Sequence, residues 1–203
     1  MNQSTNIRKM TIFSLFIAIE LVLLMTPLGF LRIGPLSATL LHIPVILAAI
    51  LLGTKYGVFL GLFFGLASVW NATMTPGPIS FVFSPFITIG GMSGGWQSLL
   101  VAIVPRVLLG WIAGTLFNVC KSRFSRSKSA AIAASLATLL HTIMVLGLIV
   151  LFYGAPYAQA LGIAQNALMS VLAYTIATNG MLELVLAVVV SMAIAKVLPN
   201  YNR

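Results

Sequence analysis

The run QSLLVAIVPRVLLGWIAGTLFNVC, residues 97–120, is followed directly by KSRFSRSK, residues 121–128. The first segment is apolar except at its edges and at one internal charge, Arg106. At about 1.5 Å per residue, a helix of that length crosses a hydrocarbon core of roughly 30 Å. The second segment places Lys121, Arg123, Arg126 and Lys128 between this apolar run and the next, which begins at Ser129. An apolar run bounded by clustered cations is the pattern of a membrane span with its anchoring loop. The whole chain agrees. Of its 203 residues 60% are apolar and 6% charged, with eleven Lys or Arg against two Glu. A soluble domain carries about a quarter charged residues, so a soluble enzyme, a disordered tail and a secreted disulfide scaffold are excluded. The single Cys120 excludes an internal disulfide and a cysteine-based metal site, and no cofactor is expected.

Working outward, six stretches are long enough to be read as spans: Thr11–Pro27, Ala38–Gly53, Tyr56–Ala72, Gln97–Cys120, Ser129–Gly154 and Thr178–Leu198. The fold class expected is all-α, a six-transmembrane-helix bundle forming one membrane domain over residues 1–203. Ala158–Ala177 is a further apolar segment, broken by Gln159, Gln165 and Asn166, and reads either as a half-span or as a surface helix. With six spans and both termini cytoplasmic, Arg8, Lys9, Lys55, Lys121, Arg123, Arg126, Lys128, Lys196 and Arg203 all fall inside. Only Arg32 falls in an external loop, as the positive-inside rule requires. The basic pI is therefore an orientation signal and no nucleic-acid partner is expected. The first run follows a positive start, like a secretory signal, but Met25-Thr26-Pro27 offers no small-residue cleavage site, so a permanent span is expected.

Gly57-x3-Gly61-x3-Gly65 and Gly110-x3-Gly114 line single helix faces, and glycines so spaced let backbones approach closely in lipid. The expected use is packing within the bundle. Ser14-x3-Ala18 is a weaker small-residue stripe on the first span.

Charged groups inside a membrane are costly and mark function or pairing. Arg106 follows Pro105, which removes a backbone donor and can aim Arg106 into a cavity. Two readings stand: an ion pair with Glu20 or Glu183, or capture of an anionic ligand by the guanidinium fork. Polar and aromatic groups collect near the external ends: His42, Trp70, Asn71, Trp96, Gln97 and Asn179. The tryptophans also fit an interfacial belt, and His42 fits a structural hydrogen bond. Asn71 and Asn179 need partners at an apolar boundary. The loop Thr75–Phe86 holds Phe81, Phe83 and Phe86, and Gly90–Gly95 reads as flexible. Together they suggest a lid folded back on the bundle.

Enzyme chemistry finds little support. Gly91-Met92-Ser93-Gly94 matches a short serine-nucleophile motif, but His141 lies too deep in its span to serve it. No phosphate-binding loop of the Gly-x4-Gly-Lys-Ser/Thr type occurs, so transport energy would have to come from a partner.

These features together resemble the substrate-binding S components of bacterial energy-coupling factor (ECF) vitamin transporters. The resemblance rests on the six spans and on His42-Ile43-Pro44-Val45-Ile46 leading to Leu51-Leu52-Gly53-x2-Tyr56-Gly57. Ser80-Phe81-Val82-Phe83-Ser84-Pro85-Phe86, Val104-Pro105-Arg106-Val107-Leu108-x-Gly110 and Asn179-Gly180-x2-Glu183 complete it. Those runs are most similar to the pantothenate-type subfamily. The resemblance implies a multi-pass protein of the bacterial cell membrane that binds a vitamin near its external face, under the first and third external loops. It would then dock on a transmembrane coupling subunit through the stripe of its first span, usually Ala-x3-Ala and here Ser14 and Ala18. Two cytoplasmic ATPases reached through that subunit would power import. If the ligand is pantothenate, Arg106 would bind its carboxylate, while Asn71, Gln97 and Asn179 bond the amide and hydroxyls. Trp70, Phe83 and Tyr174 would form apolar walls, with His42 nearby. The alternatives are an S component for a neutral heterocycle, such as hydroxymethylpyrimidine or pyridoxine, and a non-transporting membrane scaffold.

Overall fold

The computed structural model describes residues 3–33 and 36–198; Arg203 lies outside them. The chain is a helical bundle with two short hairpins at one end. Helix α1 (Gln3–Leu24) is followed by hairpin β1–β2 (Phe30–Ile33 and Leu36–Thr39), then α2 (His42–Leu51) and α3 (Thr54–Met74). A 3₁₀ turn (Ser80–Val82) and hairpin β3–β4 (Thr88–Ile89 and Met92–Ser93) lead into α4 (Trp96–Cys120) and α5 (Arg126–Ala160). The last span is α6 (Leu168–Thr175), a π-helical turn (Ile176–Gly180) and α7 (Met181–Val197) in one continuous rod.

Among the described residues, four helical stretches are long and apolar enough to cross a membrane: Thr54–Met74, Trp96–Cys120, Arg126–Ala160 and Gln165–Val197. Their outer faces stay apolar: Phe59, Leu66, Val119, Leu151 and Val189 are exposed. In water that surface would drive aggregation; in a bilayer it meets lipid tails. The helices α1 and α2 differ from the rest. α1 has the length but carries Arg8, Lys9 and Glu20, and α2 has only ten residues, a rise of about 15 Å.

The structure moves several boundaries. Ala38 does not open the second span; it pairs with Leu31 in the β1–β2 hairpin, which also holds the Arg32 backbone opposite Ser37. The helix starts only at His42, because Pro44 is tolerated in a first turn and not deeper. It stops at Gly53, whose φ of 116° turns the chain straight into α3. α5 runs past Gly154 to Ala160 with a kink at Tyr153, where φ is −132° and ψ 15°. Pro156 causes it, since its ring cannot share space with the carbonyl four residues back, that of Phe152. Ala158–Ala177 is neither a half-span nor a separate surface helix packed against the last span. It divides at Gly162 between the end of α5 and the start of the last rod.

Inside, α3 and α4 cross almost backbone to backbone. A methyl group on Gly110 would strike the Gly57 carbonyl, and one on Gly61 would strike the carbonyl of Arg106. The glycine ladders therefore face each other, as internal packing requires. The two glycines of the β3–β4 turn, Gly90 and Gly91, take φ of 57° and 80°. That is the conformation of a tight two-residue hairpin, so the glycine run is a defined turn here. The preceding loop folds back: Phe81 is fully buried, edge-on to Tyr153 at 5.7 Å between ring centroids. Ser98 Oγ donates to the Phe81 carbonyl at 2.7 Å and lies 2.7 Å from Tyr153 Oη, which also accepts the Gly95 N–H at 3.2 Å.

The core has two apolar parts separated by a polar layer. On α5, Ala130, Ala133, Ala134 and Ala137 belong to one part, while Val145, Leu146 and Ile149 belong to the other. His141 lies between them. On α4, Val101 and Leu109 belong to different parts, with Arg106 in the gap. On the last rod, Leu172 and Ala187 bracket Asn179 and Glu183. Three helices thus place their buried polar groups at one depth.

Candidate functional site

The layer is organised by Arg106, which is 5% exposed. Pro105 has no N–H, so the carbonyl it would have engaged, that of Val101 four residues earlier, is left without its helical partner. Arg106 Nη1 donates to that Val101 carbonyl at 2.6 Å. The proline creates the acceptor and the next residue's side chain fills it. This fixes the guanidinium against its own helix and against two aromatic faces, with Cζ 5.4 Å from the ring centres of both Phe64 and Phe83. The buried Nε–H has no hydrogen-bond partner. Among the described residues no carboxylate lies within 4 Å of the guanidinium. Glu20 is fully buried on α1 with both carboxylate oxygens unpartnered. Glu183 is committed elsewhere: its Oε1 accepts the Thr39 N–H at 2.6 Å.

That bond joins α7 to the base of the β1–β2 hairpin. His42 reinforces it, with Nδ1 2.6 Å from the Thr39 carbonyl and Nε2 3.3 Å from the Glu183 carbonyl. The first hairpin is thereby anchored over the polar layer by one residue from α2 and one from α7.

Two hollows meet at Arg106 and Thr39, which line both. The loop-side hollow, about 560 Å³ counting its open mouth, is also lined by Phe30, Ser68, Asn71, Ile79, Ser80 and Phe83. The helix-side hollow, about 410 Å³ on the same basis, is lined by His141, Thr142, Thr175, Asn179, Gly180 and Glu183, among others. The π turn supplies Asn179 and Gly180 to the second hollow; such turns recur at functional positions because they re-aim side chains.

Of the residues singled out from sequence, Arg106, Asn71, Phe83 and Asn179 come together around these hollows. Trp70, Gln97, His42 and Tyr174 line neither. Trp70 and Tyr174 are 59% and 61% exposed on the outer surface of the bundle, where the aromatic-belt reading puts such rings. Gln97 folds its side-chain oxygen back toward Gly95, and His42 is fully buried in the hairpin anchor. Thr39, Ser68, Thr142, Thr175 and His141 were not expected at a ligand site. His141 alone gave a usable signal, an ionisable ring in mid-span; it is 3% exposed with both ring nitrogens unpartnered.

A buried arginine thus stands in the wall shared by two open hollows. Comparison with known proteins supplies the family. The family model "ECF transporter, substrate-specific component" matches residues 8–195. The chain is 35% identical over 190 residues to the pantothenic acid transporter PanT of Lactococcus lactis subsp. cremoris (strain MG1363), a match covering 92% of this chain and 91% of that one. It is 30% identical over 197 residues to the pantothenate transporter PanT of Leuconostoc mesenteroides subsp. mesenteroides, covering 93% and 91%. The chain is a transport protein and no enzyme, and it belongs to the family of substrate-specific components of ECF transporters.

Proposed function

We propose that this chain is the pantothenate-binding subunit of an ECF-type importer. The observation that carries the reading is Arg106: a guanidinium held by the Val101 carbonyl, without a carboxylate partner, in the wall shared by two hollows. Pantothenate brings one carboxylate, an amide, two hydroxyls and a branched apolar centre. Arg106 takes the carboxylate, Asn71 and Asn179 supply amide groups for the polar atoms, and Phe83 forms an apolar wall. A neutral heterocycle would leave this guanidinium without a direct ion-pair partner, since no described carboxylate lies within 4 Å of it.

Both termini lie in the cytoplasm in this reading. Ser14 and Ala18 are exposed on α1, a free face for docking on a transmembrane coupling subunit, through which two ATPases drive release inside.

Isothermal titration calorimetry of the detergent-purified protein against pantothenate tests the assignment. A charge-assisted bond lost from a buried site costs about 1.5–3 kcal/mol. Arg106→Ala is therefore expected to weaken binding at least ten-fold. Unchanged affinity in that variant would overturn the site, and no binding by the wild type would overturn the ligand.

A further inference from the structure

The two hollows differ in charge, and that difference sets a direction for the ligand. Among its described lining residues, the loop-side hollow has one cation, Arg106, and no acid; Asn71 and Ser80 add donors. The helix-side hollow has the same arginine but also Glu183. A ligand carboxylate pressed into the second hollow would meet a like charge in a poorly solvated site, which costs several-fold more than it would in water. An uncharged end bearing hydroxyls meets no such penalty there and finds groups it needs.

Glu183 offers one of them. Its Oε1 is taken by the Thr39 N–H, and its Oε2 has no hydrogen-bond partner among the described residues. A carboxylate oxygen so placed accepts and does not donate, so it selects a hydroxyl or an N–H. His141 offers the other. Its two ring nitrogens are unpartnered in the wall of the same hollow, and a neutral imidazole supplies one donor and one acceptor. Buried polar groups without partners are rare in a finished structure. Several in one cavity wall point to a ligand that completes them.

Resting on the pantothenate reading above, we infer that the ligand lies with its carboxylate at Arg106 toward Asn71 and Ser80, and its hydroxyl end in the helix-side hollow, where Glu183 and His141 read it. Glu183 then has two roles through two oxygens. One seats Thr39 at the base of the β1–β2 hairpin and the other engages the substrate, so hydroxyl recognition and hairpin closure share a side chain.

Three ligands separate the ends of the molecule: pantothenate, pantothenol, which replaces the carboxylate with an alcohol, and N-(3,3-dimethylbutanoyl)-β-alanine, which lacks both hydroxyls. Calorimetry on the wild type gives two preferences, one for the carboxylate and one for the hydroxyls. Glu183→Gln keeps an oxygen for Thr39 but turns an N–H toward the hollow. It is expected to cut the hydroxyl preference about ten-fold and to leave the carboxylate preference within about two-fold. Asn71→Leu, on the far side of Arg106, is expected to do the reverse, and it keeps the test decisive if the Glu183 variant does not fold. Equal losses for all three ligands in Glu183→Gln, or a hydroxyl preference that falls with Asn71→Leu, would overturn the orientation while leaving pantothenate binding itself standing. Wild-type protein that binds none of the three would remove the functional reading and the orientation with it.

Discussion

Pro105 and Arg106 act as one unit. A helix-interior proline normally leaves a carbonyl to water or to a neighbouring helix; here the adjacent guanidinium takes it at 2.6 Å. The bond removes rotamer freedom that an arginine would otherwise lose on binding, up to about 2 kcal/mol, so in the proposed site the side chain would be preorganised for an anion. Pro105→Ala tests this. The restored N–H would compete for the Val101 carbonyl and free the guanidinium. Melting temperature should hold or rise, since alanine favours a helix interior, while pantothenate affinity falls several-fold by calorimetry. A variant that melts lower and binds normally would sink the preorganisation argument. This part of the site was legible in the sequence, because a charge directly after a proline in mid-span is rare and costly. The hydroxyl-bearing wall was not. Ser68 and Thr142 bond the carbonyls of Phe64 and Thr138 on their own helices at 3.0 and 3.1 Å. Any membrane helix can carry such hydroxyls, so nothing in their spacing marks them.

Among the elements, the α3–α4 pair sets the position of the site. The residue proposed to take the ligand's carboxylate is also the one whose carbonyl Gly61 packs against, so helix separation and ligand geometry would be linked. Gly61→Leu would push α4 away at Arg106 itself. It is expected to lower the melting temperature by several degrees and to weaken pantothenate binding as well. Gly147→Ala on α5 is the control. An added Cβ there meets nothing within 4 Å, and helix propensity favours alanine by up to about 1 kcal/mol. Equal effects from the two substitutions, read by thermal melts in detergent, would show that the glycine ladder does not locate Arg106. The ladder was readable from spacing because the four-residue repeat is itself the contact. The π turn and the kink at Tyr153 were not readable in that way. The kink has a local cause in Pro156, but a proline alone does not say whether a helix bends or ends there, and the π turn has no proline to mark it. The short α2 was only half legible: Pro44 signalled an irregular entry, but the hairpin that replaces its first turns follows from pairing across residues 30–39.

At the scale of the whole molecule, the proposed binding and docking sites occupy separate surfaces. Each apolar cluster of the core closes one side of the polar layer, and the hollows open among α3, α4, α5, the last rod and the first hairpin. α1 lines neither hollow and packs lightly, touching α2 and α3 along one edge. Its other face presents Ser14, Leu15, Ala18 and Ile19, with the two small residues one turn apart. A partner helix can approach closely only where side chains are small. A leucine at either position should therefore block a docked subunit without touching the ligand. The test uses Ala18→Leu and Ser14→Leu in protein co-produced with the coupling subunit and both ATPases and reconstituted into liposomes. Calorimetric affinity for pantothenate should stay within two-fold of the wild type, while ATP-driven uptake of labelled pantothenate and co-purification of the coupling subunit both fall sharply. Uptake that survives both substitutions would mean that the partner docks on another face, since a leucine pair there leaves no room for a second backbone.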